Sequence, residues 1–152
     1  MERKKPKLLN SFFKIVSYNG GSDGPKYGIE NILIPKYEPF HCSGKGTNFD
    51  LVLKYEGISN SFSMTHFIIQ GGVDCIAPIK EGLVWISDLE PNIEYSTKYN
   101  NITKEQFNSL PKSDNFKPIL FFTTSKDTFE FETKLQPWIK GSFIHLKVWF
   151  FE

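Results

Sequence analysis

Asn48-Phe49-Asp50-Leu51-Val52-Leu53-Lys54-Tyr55 alternates, with Phe49, Leu51, Leu53 and Tyr55 on one side and Asp50, Val52 and Lys54 on the other. A period of two is that of a strand with one buried face. Gly57-Ile58-Ser59-Asn60-Ser61 follows as a polar turn, and Phe62-Ser63-Met64-Thr65-His66-Phe67-Ile68-Ile69-Gln70 then reads as a second strand. Two strands on a short connection predict an antiparallel pair.

Working outward, the pattern repeats. Leu8 to Ser17 reads as a first strand that stops at the turn formers Tyr18-Asn19-Gly20-Gly21-Ser22-Asp23-Gly24-Pro25. Glu30 to Leu33 fits one helical turn docked on a sheet, and Pro35 and Pro39 keep the chain extended up to Phe40. Gly82 to Ser87 is a further strand. Ile119 to Thr124 and Thr128 to Thr133 flank Ser125-Lys126-Asp127 and predict a hairpin. Phe143 to Phe151 carries bulky groups on both sides, as a central strand does. Between Asp88 and Pro118 lies a long insert with one short helix, since Thr103-Lys104-Glu105-Gln106 fits a capping box. About eight short strands with scarcely any helical period predict an all-β fold, an antiparallel β-sandwich or jelly roll.

The composition agrees. The chain has 152 residues, 16% of them aromatic with 15 Phe, enough for one domain whose interior is built of flat rings. Residues 1–7 form a flexible basic tail and 8–152 the single domain. The formal net charge of +1 gives no broad field for nucleic acid or an anionic membrane, so neither is an expected partner. No long apolar run follows the basic opening, and the expectation is an intracellular protein of cytoplasm or nucleus. Cys42 and Cys75 follow no metal or redox spacing and read as free thiols. Asn101-Ile102-Thr103 fits the glycosylation pattern, which without a secretory route is an accident of composition.

Chemistry-bearing motifs are sparse. His41, His66 and His145 could serve a nucleophilic triad, but no Gly-x-Ser-x-Gly elbow occurs, and His66 and His145 lie in strand patterns where a hydrogen-bonded structural histidine is the usual role. Catalytic residues are therefore not expected. Zinc ligation by His41, Cys42, Cys75, His66 and His145 lacks any short repeated pair. Gly20-Gly21-Ser22-Asp23-Gly24 lacks the Lys-Ser/Thr of a phosphate loop.

Glu30-Asn31-Ile32-Leu33, a loop, and then Phe40-His41-Cys42-Ser43 resembles the galactose-binding-like superfamily, which includes the discoidin (factor V/factor VIII C-type) domains and the Doc-type ubiquitin-ligase subunit. The runs NFDLVLKY and MTHFIIQG sit where that family has two of its strands, and Gly141 to Val148 looks like its closing strand. The resemblance implies a sandwich that binds ligands with loops at one end, here Asn19 to Gly24, Lys36 to Ser43 and Gly72 to Cys75. Many members hold calcium in an acidic loop. This chain has Ile34-Pro35-Lys36 there, and a lysine in place of a carboxylate repels the ion, so neither metal nor cofactor is expected. The family's aromatic pair is also altered, to Phe40-His41. The resemblance implies a non-catalytic module recognising a protein or peptide, an adaptor in a larger assembly. Asn19, Asp23, Lys36, Tyr37, Phe40 and His41 are its candidate ligand-binding residues. A lectin-like domain binding a glycan through Asn19, Asp23, Tyr37 and His41 is the alternative.

Overall fold

The computed structural model describes residues 9–19, 29–33, 48–70, 79–111, 113, 116–123 and 130–150. The chain is all-β. Its strands are β1 (Phe13–Tyr18), β2 (Asn48–Tyr55), β3 (Phe62–Gln70), β4 (Ile79–Ser87), β5 (Leu120–Thr123), β6 (Glu130–Gly141) and β7 (Phe143–Phe150). They form a five-stranded sheet in the order β1-β2-β7-β4-β5 and a two-stranded sheet of β3 and β6, with every pairing antiparallel. Helical structure among the described residues is limited to 3-10 turns at Asn10–Phe12, Ile29–Leu33 and Ile93–Tyr99 and one α-helix, α1 (Lys104–Asn108).

One core lies between the sheets. Phe49, Leu51 and Leu53 of β2, Val84 of β4, Phe122 of β5 and Ile144 and Val148 of β7 pack with Phe62 and Met64 of β3 and Leu135 of β6. Ile29, from the single turn before β2, joins them. Gly82 makes room for this packing: a Cβ there would lie 2.3 Å from the Phe122 ring and 2.6 Å from the Lys147 carbonyl oxygen. The bare backbone lets the ring lie across β4.

Much of the other face of the five-stranded sheet is dry as well. Leu83 and Trp85 of β4, Phe121 of β5 and Trp149 of β7 form a second core with Tyr99, and Ile102, Phe107, Leu110 and Phe116 pack onto it. The insert after β4 is therefore a cover laid over the sheet. Its helix begins as the sequence predicts: the Thr103 hydroxyl accepts from the Gln106 amide at 3.1 Å and the Gln106 side chain accepts from the Thr103 amide at 2.8 Å. The cover also explains why β2 is not half wet, as its alternation implied. Asp50 and Val52 lie on the outward side and are 2% and 0% exposed.

Two pairings differ from expectation. β2 and β3 are consecutive but lie in different sheets, because both edges of β2 are taken, by β1 and β7. Residues 56–61 carry the chain across the core, turning at Asn60, whose φ is 54°. The expected hairpin is likewise split, with β5 on the edge of the larger sheet and β6 paired to β3. The second half of β6 was not legible because Pro137 argues against a strand. The structure places Pro137 in a wide irregularity, where the register jumps from Met64↔Ile139 to His66↔Lys134 and no ladder hydrogen bond is needed from it.

The registers also show at which end the connections leave the larger sheet. Asn48 pairs with Trp149, Tyr18 with Leu51, Ile79 with Phe150, Glu81 with Thr123 and Gln70 with Glu130. Tyr18, Asn48 and Ile79, strand ends next to residues 20–47 and 71–78, therefore gather at one end of the larger sheet, while Gln70 ends β3 in the smaller one. The other end holds the insert, which leaves β4 at Ser87, and two shorter links. Ser142 alone joins β6 to β7, donating its amide to Ser87 at 2.9 Å and accepting from the Tyr55 amide at 2.8 Å.

Candidate functional site

The outward face of the larger sheet carries a charged cluster that its surroundings would ordinarily forbid. β2 and β7 place Asp50 opposite Lys147 and Val52 opposite His145. The cover brings Ser96 from its 3-10 turn, which starts at Asn92, whose side chain accepts from the Glu94 amide at 3.0 Å. Asp50, Lys147, His145 and Ser96 are all 2% exposed or less. A buried carboxylate is tolerated when paired and fully hydrogen-bonded.

Asp50 meets that condition. Its Oδ1 accepts from His145 Nε2 at 2.8 Å and from the Ser96 hydroxyl at 2.9 Å. Its Oδ2 accepts from Lys147 Nζ at 2.9 Å and from Asn19 Nδ2 at 2.9 Å. Those are about the four bonds that a carboxylate can take. Asn19 is tied twice more, since its Oδ1 accepts from the Asp50 amide at 2.6 Å and its own amide donates to the Asp50 carbonyl at 3.1 Å. Lys147 also donates to Asn100 Oδ1 at 2.7 Å. The His145 ring stacks on Trp85 at 4.6 Å between centroids, and Trp85 donates its indole N–H to the Phe116 carbonyl at 3.3 Å. With Nε2 bonded to Asp50, His145 Nδ1 is buried without a hydrogen-bond partner among the described residues.

Burial pushes the Asp50 carboxyl up, but hydrogen bonds from His145 and Lys147, together with their charges, outweigh it and hold the group below its ordinary value of 3.8. A depressed folded-state value contributes stability above the unfolded value and loses it as pH falls through the folded one. Wild-type stability should therefore fall on acidification through and below pH 3.8, and Asp50→Asn should be less stable at neutral pH but flatter across that window. Urea midpoints measured at several pH values check this. Parallel curves for the two proteins would show that Asp50 is not the group responsible.

The arrangement is a lock rather than a nucleophile and its base. Acyl-transfer chemistry needs histidine between hydroxyl and carboxylate. Here Ser96 and His145 both address the same oxygen of Asp50, and the Ser96 hydroxyl also reaches the Ile93 carbonyl at 2.7 Å. His66, the other described histidine, sits half-buried with Nδ1 at 2.9 Å from the Thr65 hydroxyl. Among the described residues no group of three or more His, Cys, Asp and Glu gathers as a metal site, and no helix is long and apolar enough to cross a membrane.

Of the candidate ligand-binding residues, Asn19 is at the end where the long connections gather, with its amide committed to Asp50. Asp23, Lys36, Tyr37, Phe40 and His41 lie outside the described residues, as do Cys42 and Cys75. Sequence reasoning passed over Asp50, Ser96, Asn100 and Lys147. A signal was present: opposite charges facing each other on two strands otherwise dominated by Phe, Leu, Val and Trp. No protein-family model matches the chain, and no curated protein matches it.

Proposed function

We propose that the chain is a β-sandwich of the galactose-binding-like kind, acting inside the cell as a non-catalytic module that recognises a protein or peptide through the connections at one end. The gathering of Tyr18, Asn48 and Ile79, strand ends next to residues 20–47 and 71–78, at one end of the larger sheet carries the reading. Long connections on a rigid scaffold are where binding residues concentrate. The insert supports it too, since its Tyr99, Ile102, Phe107, Leu110 and Phe116 are spent on the outward face of the sheet.

Tyr37, Phe40 and His41 supply apolar and hydrogen-bonding contact, and Lys36 and Asp23 set the charge preference. Asn19, its amide engaged by Asp50, holds the base of this end, which favours a peptide over a sugar that would need the same amide.

A partner captured from native cell extract should bind Tyr37→Ala/Phe40→Ala at least about tenfold more weakly than wild type, as expected for aromatic anchors, with an unchanged melting temperature. Equal affinity for both proteins would remove this reading. A glycan-array signal lost on His41→Ala would replace it with carbohydrate binding.

A further inference from the structure

Asn100 belongs to the cover and Asn19 to the end of β1, yet three hydrogen bonds join them through the sheet. Asn100 Oδ1 accepts from Lys147 Nζ at 2.7 Å, Lys147 donates to Asp50 Oδ2 at 2.9 Å, and Asn19 Nδ2 donates to the same oxygen at 2.9 Å. Ser96, four residues before Asn100, holds the second oxygen of that carboxylate at 2.9 Å. The middle of the chain of bonds is closed to solvent, with Asp50 2% and Lys147 1% exposed. Water is therefore kept from the Asp50 carboxylate, and a change in one of its donors is passed on to the groups that remain.

We propose that Asn100 and Ser96 are positioning residues for the ligand-binding end: by fixing Lys147 and the Asp50 carboxylate, they set where Asn19, and with it the start of the connection to Ile29, is held. A lysine ammonium swings on a flexible stem and is oriented only by its acceptors. With Asn100 in place Nζ is held between two oxygens. Without it Nζ keeps its bond to Asp50 Oδ2 but loses the second oxygen that orients it, and the carboxylate it steadies is held less firmly toward Asn19. The order of the cover and the order of the binding end are then one equilibrium, and anything that engages the cover changes affinity at that end of the sheet. What this means for binding rests on that end being the binding end; the link itself does not.

The test is amide hydrogen exchange by NMR on the full chain without ligand. It reads the Asn19 amide, bonded to the Asp50 carbonyl, and the Asp50 amide, bonded to Asn19 Oδ1. Asn100 is exposed, so Asn100→Ala should fold. It should speed exchange at both amides by roughly fivefold, the worth of one hydrogen bond, while amides of β3 and β6 keep their wild-type rates. Asn100→Asp, which retains an acceptor for Lys147, should return both to near wild type. Unchanged rates at Asn19 and Asp50, a uniform rise across both sheets, or no recovery in Asn100→Asp would each overturn the link. None of these outcomes bears on whether Tyr37 and Phe40 bind a partner.

Discussion

Replacing Asp50 by alanine is expected to cost about 3–5 kcal/mol of folding stability, the scale found when one member of a buried ion pair is removed. The substitution strands Lys147, 1% exposed, without its counter-charge, and takes the acceptor from His145 Nε2 and from Asn19 Nδ2 at once. Marginal stability makes that a large share of the whole. Lys147→Met should cost less than Asp50→Leu, because Asp50 keeps its donors Ser96, Asn19 and His145. In the double variant Asp50→Leu/Lys147→Met, the penalties should fall short of their sum by about 1–3 kcal/mol, since neither charge is then left alone. Urea unfolding of the four proteins gives the coupling. Strict additivity would show that the pair is not energetically joined.

Trp85→Ala should be comparably severe, about 3–5 kcal/mol. Its indole is 3% exposed and is the middle of a stack, with His145 on one side at 4.6 Å and Phe116 on the other at 5.8 Å, while the Tyr99 ring meets it edge-on at 5.6 Å. The N–H bond to the Phe116 carbonyl ties the cover's return to the sheet. The damage should be local before it is global. Limited proteolysis of Trp85→Ala should cut first between residues 93 and 118, ahead of any cut in β3 or β6. Initial cleavage spread evenly over both sheets would mean that the cover and the sheet unfold as one unit, not as a cap and its base.

The fold was legible where periodicity decided it. β2, β4 and β7 sit within a few residues of where alternation predicts them, β7 is central as its two bulky faces require, and the capping box starts α1. What failed was pairing. Alternation tells which side of a strand is apolar but not which neighbour covers it, so β2 and β3 looked like a hairpin although their apolar sides face each other across a core. The insert was visible as a long irregular segment, yet its role as a cover depended on Ile102, Phe107, Leu110 and Phe116, scattered apolar residues without a period. The Asp50 cluster was hidden for a related reason. Asp50 reads as the wet side of its strand, and only the cover makes that side dry.

β2 and β7 adjoin at the centre of the larger sheet, yet Asp50 is separated from His145 and Lys147 by 95 and 97 residues. The β2–β7 pairing at its centre cannot be nucleated by neighbours in sequence, and closing so long a loop must precede any reward from the contacts it brings. Folding on the slow scale of such topologies, roughly milliseconds to seconds, leaves Phe-rich strands unpaired in the interval. For this chain the hazard of aggregation therefore belongs to the nascent molecule more than to the finished one.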